Sequence, residues 1–494
     1  MPLCGFENFI KDRHEPDYCG WSTIDVIERL GERCYTEVGL KFPGRIRSAR
    51  QRRASERRRS LCLTRLGSIL KIIMAQETQE STVVRLVNDI LLGAIQSRTS
   101  DIHIETTEQE ISLRYRTDGV LIPQQLSPEV QQSANMIVGR LKIMANLDIA
   151  ERRLPQDGRI SVKIGGREVD IRVSVIPSLH GEGIVMRILD KTSMKFSLRG
   201  LGMSPSNYEL FTNLIHQPHG LILITGPTGS GKTTTLYSAL TAINKPGMKL
   251  ITAEDPVEYR LNGISQIQIH EKIGLTFASL LRRILRHDPD VILVGEMRDL
   301  ETIEIALQAA MTGHLVFSTL HTNDAAGAYT RLLSQGVEPF LVSSCVDAVV
   351  AQRLVRNLCQ HCREAYDPSP SELPEDFPLE MLQEGQYSAV RSVIKGSGVQ
   401  EGKIYRAVGC PHCLNVGYRG RSGVFELLFS SNHVRELVER HATAWEIKRT
   451  AVQEGMLTLR MDGWRKVLAG ETSVEEVVRV TKPDSLAAHE GHST

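Results

Sequence analysis

The apolar segment LILIT runs directly into GPTGSGKTT and then into the helix-favouring run TTLYSALTAIN. A strand, a glycine-rich turn and a helix in immediate succession leave a chain few options. Gly226, Gly231, Lys232 and Thr233 fall at G-x-x-x-x-G-K-[ST] spacing. Glycines let successive backbone N–H groups turn toward one anion, and the helix that starts near Lys232 adds the positive end of its dipole. Gly226, Pro227, Thr228, Gly229, Ser230, Gly231, Lys232, Thr233 and Thr234 are therefore the expected cradle for nucleotide phosphates. Lys232 is expected to set a cation on the β- and γ-phosphates, and the Thr233 hydroxyl to ligate Mg²⁺. A chance glycine-rich turn would lack the flanking strand and helix.

Strands and helices go on alternating after the loop: KLITAED, a helix, VILVGE, a helix, LVFSTLH. That order predicts a parallel sheet with helices on both faces and ligands bound at the carboxyl ends of its strands. Chemistry-bearing residues fall at those ends. Glu254, Asp255 and Glu258 cluster after KLIT, and Glu296 ends VILVG. A carboxylate beside a phosphate loop orients Mg²⁺, its waters or the attacking water. The aspartate usual just before Glu296 is absent, Gly295 standing in its place, so Glu296 is left to ligate Mg²⁺ with Thr233 and to work with Glu258. Asp255, before Pro256, equally suits a helix cap or turn. His321 closes LVFSTL on the nucleotide edge and is read as a sensor of the γ-phosphate. His314 opens the same strand at the far end, where a structural role is as good a reading.

Cys359-x-x-Cys362 and Cys410-x-x-Cys413 are two chelating pairs whose four thiolates suit tetrahedral Zn²⁺. No position is left open, so the metal is read as structural. Redox pairs or plain buried thiols are the rival readings, and no thioredoxin-like context surrounds the cysteines. Cys4, Cys19, Cys34, Cys62 and Cys345 have no such pairing.

Upstream, residues 79–195 read as a small α/β domain. VVRLVNDILLGAIQSR is apolar at helical spacing, and PEVQQSANMIVGRLKIMANL is a second helix between short alternating strands. Gly165-Gly166 reads as a hairpin turn between two of those strands. A linker follows at 196–206, then the nucleotide domain at 207–494 with the tetracysteine subdomain at 357–416. Residues 1–78 contain the arginine run RIRSARQRRASERRR, read as a solvated segment rather than a tether to acidic lipid or protein.

A chain of 494 residues is too long for one core. Its formal net charge of +1 gives no global electrostatic case for nucleic acid or an anionic membrane. The longest apolar runs, such as Leu221 to Ile224, are too short to span a bilayer. The first residues carry no secretory pattern, so a cytoplasmic protein is expected.

Taken in order, GPTGSGKTT, AEDPVEY, DPDVILVGEMRD and TGHLVFSTLHTNDA resemble the Walker A, Asp-box, Walker B and His-box segments of the secretion ATPase superfamily. ERRLPQDGRI and GCPHCLNVGYRGRSGVFELL are similar to its type II secretion and type IV pilus-extension branch, and the tetracysteine element speaks against the retraction motors. The resemblance covers about Val83 to Val480 and leaves 1–78 outside it. It implies a RecA-like P-loop ATPase domain, a preceding small PAS-like domain and an inserted zinc subdomain. It also implies a homohexamer using ATP, Mg²⁺ and Zn²⁺, bound peripherally to the inner membrane through a platform protein and a membrane-anchored docking protein. By motif position Glu258 orients water, Glu296 is the Walker B acid, and Arg172 and Arg187 reach the γ-phosphate from the small domain. Ion pairing on their own strands is the plainer role for these two arginines. Arg286 and Arg298 are further nucleotide-site candidates. The expected function is a motor for type II secretion, with a pilus-extension motor as its nearest rival. A DNA-handling ATPase of conjugation or competence is disfavoured, because no aromatic-plus-basic strand face suits single-stranded nucleic acid. A non-hydrolysing nucleotide-binding scaffold is disfavoured by the intact Lys232, Glu258 and Glu296.

Overall fold

The computed structural model describes residues 82–108, 110–164, 167–190, 196–379 and 403–484. The basic segment at 1–78, the Gly165-Gly166 turn and positions 380–402 of the cysteine subdomain lie outside the described residues. Among those described, 82–91 and 135–141 form one compact unit and the rest a second.

In the first unit Val83, Leu86, Val87, Ile90 and Leu91 are buried along the helix at 82–96. Their 3–4-residue spacing is the stripe read from the sequence. Ile137, Val138 and Leu141 are buried on helix Ala134–Met144. The single helix expected from Pro128 onward is two, Pro128–Gln132 and Ala134–Met144, broken at Ser133.

The second unit opens with six antiparallel strands: β1 (Thr99–Thr106), β2 (Ile111–Thr117), β3 (Val120–Pro123), β4 (Gln156–Ile164), β5 (Arg167–Ser178) and β6 (Gly181–Asp190). Their order is β3-β2-β1-β6-β5-β4. Strict alternation buries Val169, Ile171, Val173 and Val175 of β5 and Ile184 and Met186 of β6 on one face. The opposite face carries Arg172 and Arg187 as cross-strand partners, with Asp101 of β1 paired to Arg187.

The larger sheet contains β7 (Gly220–Thr225), β8 (Leu250–Glu254), β9 (Ser265–Gln268), β10 (Val291–Val294), β11 (Leu315–Leu320), β12 (Val346–Leu358) and β15 (Tyr418–Phe429). The order is β15-β12-β7-β11-β10-β8-β9. From β12 to β9 neighbours run parallel, while β15 runs antiparallel to β12. Successive residues of a strand enter opposite cores. Leu221 and Leu223 join Ile292 and Val294 in one, and Ile222 and Ile224 join Leu293 and Phe317 in the other. Both faces are apolar, which is why these strands read as continuous hydrophobic runs. A short antiparallel pair, β13 (Glu364–Tyr366) and β14 (Ile404–Arg406), stands beside the tetracysteine element.

Candidate functional site

Parallel pairing brings the carboxyl ends of four strands to one edge. Thr225 of β7 is level with Leu320 of β11, and Val294 of β10 with Ala253 of β8. The residues just past each strand meet there: Gly226 after β7, His321 after β11, Gly295 and Glu296 after β10, and Asp255 after β8.

Helix Lys232–Ile243 begins where the loop ends, with Gly231 as its left-handed N-cap at φ 93°. A Cβ at Gly231 would stand 2.8 Å from Gln352 Nε2, and one at Gly226 2.5 Å from the Gln352 carbonyl oxygen. Only glycine fits at both places. Ser230 is buried and its Oγ has no partner among the described residues, which leaves the loop a spare donor for an anion. Lys232 Nζ donates to the Gly226 carbonyl at 2.7 Å and to that of Pro227 at 3.2 Å. Burial lowers the Lys232 pKa to about 8; Glu296 opposes that shift and Arg353 adds to it.

Thr228 to Thr234 line a cleft of about 910 Å³ that also takes in Glu258, Glu296, His321 and Arg187. Glu296 has its side chain 15% exposed and sits 2.7 Å from Arg298 Nη2 and 3.6 Å from His321 Nε2. Burial and the charge of Lys232 push the His321 pKa down, against the opposing pull of Glu296. Gly295 precedes Glu296 for a steric reason: a Cβ there would stand 3.1 Å from the Ala253 carbonyl oxygen of β8. Glu258 pairs with Arg172 at 3.3 Å, and Arg187 with Asp101 at 2.9 Å. Thr233 and Glu296 supply oxygen donors to one cleft, the ligand type that suits Mg²⁺.

Other candidates fall differently. Glu254 lies buried, engaged by the Tyr237 hydroxyl, by Thr252 Oγ1 at 2.6 Å and by Gln266 Nε2 at 3.1 Å. Asp255 caps no helix, since 255–260 is irregular. His314 holds the Ala309 carbonyl at the far strand end. Arg286 is exposed and does not line the cleft, whereas Arg298 reaches it through Glu296. Sequence reasoning missed Asp101 and Gln352. Gln352 carries little signal in the sequence, since VDAVVAQRLV also holds Asp347 and Arg353.

The sulfurs of Cys359, Cys362, Cys410 and Cys413 all lie within 4.8 Å of one another. The Cys359–Cys410, Cys362–Cys413 and Cys410–Cys413 pairs are each 3.8 Å apart. A tetrahedron with Zn–S of about 2.3 Å has edges of about 3.8 Å, so the cage fits zinc. N–H groups of Gly409, Cys410 and Gly417 donate to these sulfurs at 3.2–3.3 Å. Burial drives the Cys413 thiol up, but the amides of Cys410 and Gly417 outweigh it and hold the group at about 7.

Residues 76–479 match the family described as Type II/IV secretion system protein. Type II secretion system protein E of Pseudomonas aeruginosa is 48% identical over 83% of this chain and 78% of its own length. Type IV pilus assembly ATPase PilB of Myxococcus xanthus is 47% identical over 83% of this chain and 70% of its own. The crystal structure of the pilus retraction motor PilT with bound ADP superposes with a TM-score of 0.50 at 26% identity, covering 81% of this chain and 98% of that one.

Proposed function

This chain belongs to the type II/IV secretion system protein family, and from that premise we propose that it is the ATPase motor of a type II secretion machine. One observation carries the reading: a single cleft takes in the phosphate loop and both Glu258 and Glu296. The loop amides and Lys232 hold the triphosphate. Glu258 orients a water that attacks the terminal phosphorus, the bond to the bridging oxygen breaks, and ADP and phosphate leave. Thr233 and Glu296 would hold Mg²⁺, which would draw charge from the phosphate oxygens. His321, against Glu296, senses loss of the γ-phosphate. Arg172 and Arg187 reach toward that phosphate from the six-stranded sheet once released from Glu258 and Asp101.

The working assembly is a homohexamer on the cytoplasmic side of the inner membrane, docked on a membrane-anchored protein and driving a platform protein. Among the described residues no helix is long and apolar enough to cross a membrane. Hydrolysis opens and closes the site in each subunit and moves the platform. A pilus-extension motor is the second reading, favoured by the 47% identity to PilB.

The test is phosphate release by purified protein, alone and with acidic phospholipid vesicles or DNA. Basal turnover that vesicles raise, DNA leaves alone and Lys232→Ala abolishes is the expected outcome. Stimulation by DNA alone would move the protein to the DNA-handling class. Turnover unchanged in Lys232→Ala would remove the phosphate loop from the mechanism.

A further inference from the structure

Gln352 sits in the middle of β12, between the buried Ala351 and the half-buried Arg353. It is 2% exposed and lines the cleft. A carboxamide this buried is costly unless its groups find partners. The Oε1 accepts from Thr235 Oγ1 at 2.7 Å, in the first turn of the helix that follows the phosphate loop. The Nε2 stands 2.8 Å from where a Cβ of Gly231 would be, and the main-chain oxygen 2.5 Å from where a Cβ of Gly226 would be. One residue thus abuts both glycines that bound the loop. Its own position is fixed by the sheet, opposite Phe425 of β15 and next to Ala351, which pairs with Thr225 of β7.

We propose that Gln352 is a positioning residue for the phosphate loop: its carboxamide locks the loop's helix end through Thr235 and Gly231, and so holds the loop amides in the inward arrangement that a triphosphate needs. It acts on the loop rather than on the reacting atoms. The contact also gives Gly226 and Gly231 a second reason to be glycine, close approach of β12 as well as backbone conformation.

This inference rests on the phosphate-loop reading, so its test carries a control. The full chain is titrated with a fluorescent methylanthraniloyl-ATP in the presence of magnesium. Loss of a buried neutral hydrogen bond predicts that Gln352→Leu weakens binding roughly 10-fold. Turnover at saturating ATP stays within a few-fold of the parent, because the lesion lies in binding. Gln352→Glu keeps an acceptor for Thr235 but sets a carboxylate beside the loop. It binds more weakly than Gln352→Leu at neutral pH and regains affinity as the pH falls toward about 5, where the carboxyl takes up a proton. Parent-like affinity in both variants overturns the proposal. Should Gln352→Leu not fold, Gln352→Glu decides alone: parent-like affinity with no pH response overturns it. Lys232→Ala is titrated alongside. If it binds like the parent, the loop reading itself has failed; if it loses binding while the Gln352 variants do not, only this inference has failed.

Discussion

The guanidinium of Arg172 lies 3.3 Å from a carboxylate oxygen of Glu258, joining a strand of the six-stranded sheet to the acidic segment after β8. With the side chains 26% and 28% exposed, solvent screens the pair, which is worth about 1 kcal/mol or less. It is therefore readily exchanged. In the mechanism proposed above, a triphosphate competes for the arginine and frees the glutamate for water.

Arg172→Ala tests that exchange. A cation acting on the leaving phosphate contributes about 10³-fold in comparable enzymes. The variant is expected to lose about 10²-fold or more in kcat while nucleotide affinity changes only a few-fold. Arg172→Lys recovers little, since a point charge lacks the planar fork. An unchanged kcat would leave Arg172 as an ion-pair partner and no more.

The two glutamates should separate in their dependence on metal. Glu258→Gln removes the water-orienting group, so turnover falls by about 10²-fold or more while binding and magnesium requirement hold. Glu296→Gln removes a magnesium ligand, so half-maximal activity shifts to higher magnesium as turnover falls. Identical magnesium curves for both variants would contradict this division.

Binding should depend on pH through Lys232. Burial is the main reason its free-site pKa sits at about 8. Bound phosphates favour the ammonium and raise that value, so binding takes up a proton once the pH passes the free-site pKa. Affinity is then flat below about pH 7 and falls as pH rises through 8, approaching about tenfold per unit. Isothermal titration across pH 6.5–9.5 measures it, and in two buffers of different ionisation heat it shows the proton uptake directly. Affinity rising with pH has the wrong sign.

One zinc per chain is expected by elemental analysis. Cys410→Ser combined with Cys413→Ser should abolish it and expose the neighbourhood of 403–417 to protease, because a structural zinc contributes on the order of 10 kcal/mol to folding its ligand loops. A double variant that keeps its zinc and its protease resistance would show that the four sulfurs do not hold the metal.

What the sequence made legible was local. The phosphate loop, Glu296 at its strand end and the Cys-x-x-Cys pairs are contiguous patterns whose spacing carries the chemistry, and each lies at the strand end or turn where it was expected, whereas Glu254 is buried inside β8. Long-range pairing was not legible. β12 and β15 extend the sheet past β7, yet nothing in VDAVVAQRLV or GVFELLF states which strand each will pair with. Arg172 and Glu258 are 86 residues apart, so their meeting depends on where two sheets lie and not on any spacing. Gln352 did not stand out, sitting in a strand that also carries Asp347 and Arg353. Its meaning appears once β12 is seen beside β7.

The most direct test is an experimental structure of the protein with magnesium and a slowly hydrolysed ATP analogue. The account predicts the β- and γ-phosphates within hydrogen-bond reach of the amides from Gly226 to Thr234, the Lys232 ammonium moved from the loop carbonyls onto them, and the carboxylates of Glu258 and Glu296 facing the terminal phosphate. Phosphates seated elsewhere, or both carboxylates turned away from them, would contradict it.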